Sequence, residues 1–473
     1  MSEAERTYDV VVVGAGSTGE NVADIVVRGG LSAVLVEPEL VGGECSYWAC
    51  MPSKTLLRGT EVLAEARSVD GAAQAVTGEQ DVAATLARRD EFTHHWDDSS
   101  QVEWVHGAGI DLLRGAGRLD GERTVVVTAE DGTTTRLTAR HAVAVCTGSS
   151  PATPPVDGLA DVAAWGPREA TSAKEAPARL LVLGGGYVGC EMATAWQALG
   201  SQVTVLQRGD RLLPRLEPQA GDAVAESLRK AGVDVRLGTE VRAARREGTE
   251  VVLTTADGEV RGDEVLVAIG RAARTADIGV ETVGLEPGEY LSVDATLRVE
   301  GRSWLYGVGD VNGRSQLTHM GKYQARQAGA AIVARAREEQ VATDAWSPFV
   351  ATADDVATPS VVFTSPQVAS VGRTAAEAAE AGLPHRVVEY PIGSIAGASV
   401  FADGYEGTAI AVVDTQREVL LGVTFIGPGV AELLHAATIA VVGEVPIARL
   451  WHAVPAYPTI SEIWLRLLET YRG

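Results

Sequence analysis

The chain is poor in cysteine, in aromatic residues and in long hydrophobic runs. Aromatic residues make up 5% of the chain. Only four of the 473 residues are cysteines, which argues against a disulfide-stabilised secreted scaffold. No apolar run reaches the ~18 residues that a membrane-spanning helix needs, and the acidic N-terminal segment does not resemble a signal peptide. We therefore expect a cytoplasmic protein with no membrane span.

The chain is also poor in positive charge. Its 63 acidic residues outnumber its 40 basic residues and give a net charge of −23. This balance argues against nucleic acid and anionic membranes as partners. Hydrophobic residues make up 46% of the chain, and a chain of this length exceeds one hydrophobic core, so we expect two to four packed domains.

The N-terminal stretch YDVVVVGAGSTGENVADIVVRGGLSAVLVE carries a dinucleotide-binding pattern. An apolar strand is followed by Gly14, Gly16 and Gly19 in GxGxxG spacing, a helical stretch, and a second strand that ends at Glu37. Such glycines let backbone amides approach a pyrophosphate at a helix N-terminus, and the acid accepts hydrogen bonds from a ribose. We predict a dinucleotide site here; the alternative is a glycine turn without a ligand.

The same pattern recurs 170 residues later in RLLVLGGGYVGCEMATAWQALGSQVTVLQ, where Gly184, Gly186 and Gly189 repeat the glycine spacing. An internal repeat of this kind predicts two similar domains and two dinucleotides.

The second copy differs from the first at the acidic position. Gln207 replaces the glutamate and is followed by Arg208, with Arg211 close by. Loss of the acid with gain of arginines is expected where a ribose 2′-phosphate is held, which favours NADPH. The alternative is that these arginines are solvated and that NADH is used.

Cys45 and Cys50 lie five positions apart in GGECSYWACMPSK, just after the first glycine motif. They can form a disulfide if their Cα atoms come within ~7 Å, and a helix N-terminus would lower a thiol pKa. The alternatives for the two cysteines are a redox couple, a metal-binding site and a pair of buried structural residues. Zinc is disfavoured because no second CxxC or His pair is near, and we predict no metal site.

The other cysteines and the paired histidines are interpreted as structural. Cys146 and Cys190 are predicted to be packed, and His94 and His95 to lie on a solvated helix face. The stretch from Lys54 to Leu113 as a whole is predicted to be mainly helical.

Six motifs, in order, resemble those of the class I pyridine nucleotide-disulfide oxidoreductases, which include dihydrolipoamide dehydrogenase, glutathione reductase and mercuric reductase. GGECSYWACMPSK resembles their GGxCxxxxCxPSK, and AVCTGSSPATPP resembles ATGSxPxxP. LVAIGRAART resembles the GRxPN segment, with Arg274 where Asn is usual, and LYGVGDVNGRSQLTH resembles the second flavin motif. PSVVFTSPQVASVG and YPTISE resemble the opening and closing motifs of the interface domain.

The resemblance implies an α/β fold with two Rossmann-like domains, one for FAD and one for NAD(P), plus a C-terminal α+β dimerisation domain. The implied boundaries are 1–150 and 271–345 for the FAD domain, 151–270 for the NAD(P) domain and 346–473 for the interface domain. It also implies a homodimer that shares its active site across the interface and acts on a small-molecule substrate.

The resemblance further assigns residues to roles. The ADP part of FAD is assigned to Gly14, Gly16, Gly19 and Glu37, the flavin itself to Lys54, Asp310, Thr318 and His319, and the nicotinamide cofactor to Gly184, Gly186 and Gly189. The predicted cofactor-binding set is completed by Gly43, Gly117, Thr147, Gly148 and Gly270, with Gln207, Arg208 and Arg211. The implied catalytic residues are Cys45, Cys50, Lys54, Glu191, Tyr457 and Glu462.

In the implied cycle, electrons pass from NADPH through FAD to a Cys45–Cys50 disulfide by way of Cys50. Cys45 then attacks the substrate as a thiolate. Glu191 is expected to pair with Lys54.

Tyr457 stands where the family has a histidine that relays protons. An imidazole titrates near ~6.5 and a phenol near ~10, so a tyrosine is a poor base at neutral pH. Two acceptor classes stay open: a small disulfide or other thiol-reactive compound, or a quinone, metal ion or other compound that takes electrons directly from the flavin. A nucleotide-binding sensor without turnover is a third alternative, and His452 could also replace the relay.

The residues between the cysteines also depart from the family. Tyr47 and Trp48 stand where small or apolar residues are common. They could narrow the approach to the thiols or stack on a planar substrate, or they could pack beneath the helix. An efficient mercuric reductase is disfavoured because the chain ends in LLETYRG without a thiol pair.

Overall fold

A computed structural model describes residues 4–473. The strands are β1 (Ala4–Val13), β2 (Ala33–Glu37), β3 (Asp111–Arg114), β4 (Ala116–Leu119), β5 (Thr124–Thr128), β6 (Thr134–Val145), β7 (Ser149–Pro151), β8 (Arg179–Leu183), β9 (Gln202–Leu206), β10 (Asp234–Arg236), β11 (Val241–Glu247), β12 (Glu250–Thr255), β13 (Gly258–Gly262), β14 (Glu264–Val267), β15 (Arg271–Ala273), β16 (Leu305–Gly307), β17 (Pro359–Val362), β18 (Gln367–Gly372), β19 (His385–Pro391), β20 (Thr408–Asp414) and β21 (Val419–Gly427).

The α-helices are α1 (Ser17–Arg28), α2 (Gly43–Tyr47), α3 (Cys50–Arg67), α4 (Val82–Phe92), α5 (Ser99–Gly107), α6 (Pro167–Ser172), α7 (Tyr187–Ala198), α8 (Pro218–Lys230), α9 (Thr318–Ala336), α10 (Ala353–Val356), α11 (Ala375–Glu380), α12 (Ala396–Phe401), α13 (Leu434–Val442), α14 (Ile447–Leu450) and α15 (Ile463–Arg472). Short 3₁₀ turns lie at Ala73–Ala75, His94–Trp96, Leu159–Val162, Val280–Val283, Asp310–Asn312, Ile392–Ser394, Val430–Leu433 and Ile460–Glu462.

The chain forms two compact units. The first comprises Met1–Met51, Asp90–Ala152 and Arg271–Asp355, and the second comprises Pro52–Arg89, Thr153–Gly270 and Val356–Gly473.

The first unit is built on a sheet in the order β3-β2-β1-β6-β5-β4, with β16 also paired to β6. In its parallel part, Val11 of β1 lies between Val34 of β2 and Val143 of β6. Strand β2, the last four residues of β1 and the last four of β6 are buried on both faces. They therefore read as continuous apolar runs rich in valine and alanine. Helices α1 and α9 pack closely at Gly329, because this residue has no side chain. A Cβ there would lie 2.6 Å from a methyl group of Ile25.

The second unit repeats the strand–helix–strand arrangement in the parallel sheet β10-β9-β8-β14. Leu181 pairs with Thr204, at the same offset of 170 residues from the Val11–Val34 pair. The rest consists of the antiparallel sheet β11-β12-β13 and the C-terminal antiparallel sheet β17-β18-β21-β20-β19. The predicted fold class, two Rossmann-like domains with a C-terminal α+β domain, is confirmed.

The prediction that residues 54–113 are mainly helical is only partly correct. Helices α3, α4 and α5 occupy much of this range, but non-helical segments separate them, and Leu112 lies in strand β3. Leu112 pairs with Leu35 of β2, so the strand is specified by a long-range partner that local composition does not reveal. In residues 4–473, no helix is both long enough and apolar enough to span a bilayer.

Glu20, in the first turn of α1, is a half-buried acid with one buried carboxyl oxygen. Its Oε1 atom has no hydrogen-bond partner. Burial is the main cause that raises the pKa of Glu20 to about 7, and the charge of Glu37 adds to it while Lys322 opposes it. The carboxylate therefore destabilises the native state when it is ionised.

We predict that Glu20→Gln stabilises the protein at alkaline pH. Between about pH 4.5 and 7 the unfolded carboxyl ionises while the native one stays protonated, so wild-type stability falls as the pH rises through this window. The stability gain of Glu20→Gln should therefore grow between pH 5 and pH 8 to at most about 3 kcal/mol. Denaturant unfolding at several pH values measures it, and a gain that does not vary with pH would contradict the prediction.

Candidate active site

The first glycine loop is shaped by backbone contacts. Gly14 has φ +101°, and a Cβ at Gly19 would lie 1.9 Å from the carbonyl oxygen of Gly14. The amide of Ala15 donates to Glu37 Oε2 at 2.8 Å, and the amide of Glu39 donates to Oε1 at 2.9 Å. Burial raises the pKa of Glu37, while these two hydrogen bonds oppose the shift. The loop therefore presents open backbone at the start of α1 beside a fixed acid, which fits the ADP part of FAD.

The second glycine loop has the same geometry. Gly184 has φ +104°, and a Cβ at Gly189 would lie 2.0 Å from the carbonyl oxygen of Gly184. The amide of Gly185 donates to Gln207 Oε1 at 2.9 Å, which is the counterpart of the Ala15–Glu37 bond. Replacing the acid with an amide thus keeps the anchor of the loop and removes its negative charge.

The arginines after this loop lie on an open segment. Arg208 is exposed, and Arg211 donates to the carbonyl oxygen of Pro214 at 2.9 Å. A neutral Gln207 beside two cations is favourable for a phosphate monoester.

The two cysteines of GGECSYWACMPSK lie on consecutive helices. Cys45 is in α2 and Cys50 begins α3; both side chains are half-buried thiols. Cys50 Sγ lies 3.2 Å from the Thr318 hydroxyl at the start of α9. The structure therefore brings together Cys45, Cys50 and Thr318, which are far apart in the sequence.

The pKa of Cys45 is raised, contrary to the expectation of a lowered thiol pKa. The hydrogen bond with Cys50 is the largest cause and burial the second, while Thr318 and Lys322 act in the opposite direction. Two neighbouring thiols share a proton, so the second of the pair to ionise is strongly disfavoured. Helix α2 spans five residues, and its dipole is correspondingly small.

Tyr47, between the cysteines, packs in the interior. Its side chain is fully buried, and its ring centroid lies 5.7 Å from that of Trp48. Burial raises the pKa of the Tyr47 phenol. Of the two interpretations left open by the sequence, packing beneath the helix therefore applies to Tyr47.

Arg274, which replaces the usual asparagine of GRxPN, forms an ion pair with Glu44, the residue before Cys45. The two charged groups are 2.9 Å apart and half-buried. The backbone of Arg274 is fixed by Gly148 and by the Thr147 hydroxyl, which donates to its carbonyl oxygen at 2.7 Å. Sequence analysis missed Glu44; the available signal was Arg274 itself, a charged residue where Asn is usual.

Lys54 and Glu191 form an ion pair of 2.7 Å in the second unit. Glu191 is 4% exposed, and its second oxygen accepts the backbone N–H of Phe363 at 3.0 Å. The Lys54 ammonium also lies 5.0 Å from the centroid of the Phe363 ring. Phe363 was missed as a site residue, although it lies in the quoted VVFTSP motif, because it acts through its backbone and ring face.

The closing motif carries Tyr457 at the surface. Tyr457 is 77% exposed, and Val454 and Val400 are 84% and 70% exposed. The Glu462 carboxylate accepts the backbone N–H of Gly397 at 2.9 Å. Glu462 thus holds α12 against the closing motif.

The remaining predicted residues lie as follows. Asp310 accepts a hydrogen bond of 2.6 Å from Ser149, and His319 is in the first turn of α9. A Cβ at Gly117 would lie 2.9 Å from Val36, a Cβ at Gly43 would lie 2.8 Å from the Cα of Gly16, and Gly148 and Gly270 have positive φ.

The predicted structural cysteines and histidines are also placed. Burial raises the thiol pKa of Cys146 and of Cys190. His94 and His95 are exposed but lie in a left-handed turn, so the predicted helix face is wrong. In residues 4–473, no cluster of three His, Cys, Asp or Glu side chains could hold a metal ion.

Comparisons with known proteins agree with this geometry. The pyridine nucleotide-disulphide oxidoreductase family matches residues 8–325, and its dimerisation domain matches residues 358–467. The chain belongs to this family. Its members are flavoprotein NAD(P)H-dependent disulfide oxidoreductases, so the protein is an enzyme that uses FAD and NAD(P)H, with a dimerisation domain that indicates a homodimer.

Individual relatives cover the whole fold. The mercuric reductase of Streptomyces lividans is 32% identical over 484 residues, covering 100% of this chain and 98% of the relative. The dihydrolipoyl dehydrogenase of Chlamydia muridarum is 29% identical over 472 residues, covering 98% and 96%. The Cu(II) complex of an HOCl-induced flavoprotein disulfide reductase from Escherichia coli shares the fold, with a TM-score of 0.84, 24% identity and coverage of 98% and 99%.

We predict different effects for alanine at two glycines of the second loop. Gly189→Ala places a Cβ against backbone and should lower the free energy of unfolding by about 1–3 kcal/mol. Gly186→Ala meets no atom within 4 Å, so it should preserve stability but weaken cofactor binding where a pyrophosphate must approach the backbone. Thermal unfolding and NADPH titration measure both effects; equal destabilisation by the two variants would contradict the assignment.

We predict that Lys54→Met is destabilising because it leaves Glu191 as a buried, poorly compensated charge. Since Lys54 is 37% exposed, we expect about 1–3 kcal/mol, below the full range for buried pairs. Adding Glu191→Gln should recover part of this loss. Lys230→Met, which breaks an exposed pair with Glu226, is the control and should leave denaturant unfolding nearly unchanged.

Proposed function

We propose that the protein is an NADPH-dependent reductase in which Cys45 and Cys50 form a redox couple that reduces a small disulfide or another thiol-reactive compound. The observation that carries the proposal is the cluster of two thiols and Thr318, with a Cys50–Thr318 distance of 3.2 Å. It lies in the unit that also holds the first glycine loop.

FAD would be held by Gly14, Gly16, Gly19 and Glu37, and NADPH by Gly184, Gly186, Gly189, Gln207, Arg208 and Arg211. When bound, the two cofactors would supply a pair of electrons at a time. The preference for NADPH rests on the neutral Gln207 anchor and on the adjacent arginines. Lys54 would be a positioning residue, held by Glu191 and Phe363.

The reduced cysteine pair would act by thiol–disulfide exchange. Cys45 loses its proton, and its sulfur attacks a substrate disulfide, which forms a mixed disulfide and releases the first substrate thiol. Cys50 then attacks the sulfur of Cys45, which forms the Cys45–Cys50 bond and releases the second thiol. Each released sulfur takes up a proton, so the two protons of the dithiol end on the two product thiols.

Proton transfer is the step at which this chain differs from its family. The pKa of Cys45 is raised, so the attacking sulfur needs a base or a substrate with a good leaving group. We propose that the exposed Tyr457 faces the cysteine pair of the partner subunit and donates a proton or hydrogen bond there. Substrates with acidic leaving thiols are then favoured.

A second candidate function follows from the same substitution. Without an imidazole base, the physiological acceptor could be a quinone, a metal ion or another compound that takes electrons directly from the flavin. Loss of the thiols would then leave turnover intact.

We predict that Tyr457→His increases the reduction of alkyl disulfides by about tenfold or more near neutral pH, because an imidazole can accept the Cys45 proton. NADPH oxidation is measured across pH with alkyl disulfides, aromatic disulfides, quinones and metal ions as acceptors, and NADH is compared as donor.

Cys45→Ser and Cys50→Ser should abolish disulfide reduction. Quinone turnover that survives in both serine variants while disulfides are inert in wild type would favour the second function.

A further inference from the structure

The turn His94–Trp96 has an unusual backbone. Its three residues have φ values of +48°, +52° and +59°, and none of them is glycine. For L-residues other than glycine the left-handed region costs roughly 1–2 kcal/mol each, and such conformations persist where surrounding contacts impose them. Both imidazoles are exposed. The His95 imidazole lies 3.2 Å from Glu91 Oε1, and an exposed contact of this kind contributes little.

The turn is hydrogen-bonded to the residue between the two cysteines. The indole N–H of Trp96 donates to the carbonyl oxygen of Tyr47 at 3.2 Å, and the Tyr47 hydroxyl donates to the carbonyl oxygen of Asp97 at 3.4 Å. Tyr47 is therefore held at its backbone and at the end of its side chain. It lies two residues after Cys45 and three before Cys50.

Asp98, which follows the turn, contacts the start of the segment that carries Cys45. Asp98 accepts the backbone N–H of Val41 at 2.8 Å and pairs with the guanidinium of Arg114. Arg114 in turn donates to the carbonyl oxygen of Glu39 at 2.5 Å. Residues 96–98 thus contact Val41 and Tyr47, which lie on either side of Cys45.

We propose that the left-handed turn His94–Trp96 is a positioning element that fixes Tyr47 and thereby sets the spacing of Cys45 and Cys50. Held close together, the thiols form a disulfide more readily, because the effective concentration of one at the other is high. The turn therefore sets the dithiol–disulfide equilibrium of the pair. The inference rests on the proposed redox function of the cysteines.

Position 95 allows a test of the backbone, since its side chain is exposed and its contact with Glu91 is lost equally in a glycine and a valine variant. His95→Gly removes the steric cost of positive φ and should leave both the melting temperature and the thiol equilibrium close to wild type, or raise the melting temperature. His95→Val introduces a β-branched residue that disfavours this conformation. It should lower the equilibrium constant for disulfide formation by about threefold or more. Trp96→Phe, which removes the indole donor, should shift it in the same direction.

The control is Glu338→Val, which also places valine at an exposed left-handed position, with φ +59°, but away from this loop. It should lower the melting temperature without changing the thiol equilibrium. The holoenzyme of each variant is equilibrated with reduced and oxidised dithiothreitol, and the free thiols are trapped and mapped.

A wild-type equilibrium in both His95→Val and Trp96→Phe would overturn the positioning proposal. If wild type itself forms no Cys45–Cys50 disulfide at any ratio, the proposed redox function fails, and the positioning role fails with it.

Discussion

The backbone of Ala15 joins the two functional loops of the first unit. Its N–H donates to Glu37, at the end of strand β2. Its carbonyl oxygen accepts the N–H of Gly42 at 2.8 Å, just before the helix that carries Cys45. One residue of the glycine loop therefore fixes both the acid that would hold a ribose and the start of the cysteine segment. Close backbone approach makes this possible, since a Cβ at Gly43 would lie 2.8 Å from the Cα of Gly16.

The repeat shows what is kept and what is free to change in such a loop. Positive φ at the first glycine and contact of the third with its carbonyl oxygen occur in both copies. The anchoring acceptor is a carboxylate in one copy and an amide in the other, at nearly the same distance. Backbone geometry is thus set by sterics and hydrogen bonding, while the charge of the acceptor differs between the two copies.

Sequence analysis predicted the elements whose structure is specified by their own residue spacing. The glycine loops and the valine-rich strands follow from spacing, because the same residues specify the local conformation. Contacts across long sequence separations were not predicted. Phe363 on Glu191 and Trp96 on Tyr47 depend on where separate helices and strands meet, and no period in the chain encodes this.

The left-handed turn at His94 and the raised pKa of Cys45 were missed for related reasons. The turn is imposed by its hydrogen-bonded neighbours against the preference of its own residues. The pKa of Cys45 depends on its distance to the second thiol more than on the short helix that carries it. In both cases the deciding quantity is a three-dimensional distance near Cys45 and Cys50.

The central claim is that Cys45 and Cys50 are the cysteines that accept electrons from NADPH. It is tested most directly with the native, air-oxidised holoenzyme, one sample of which receives one equivalent of NADPH anaerobically. Both samples are then denatured, and their thiols are labelled and counted. The chain has four cysteines, and the account predicts labelling of Cys146 and Cys190 alone before reduction and of all four afterwards. Four labelled cysteines before NADPH, or an unchanged count after it, would contradict the account.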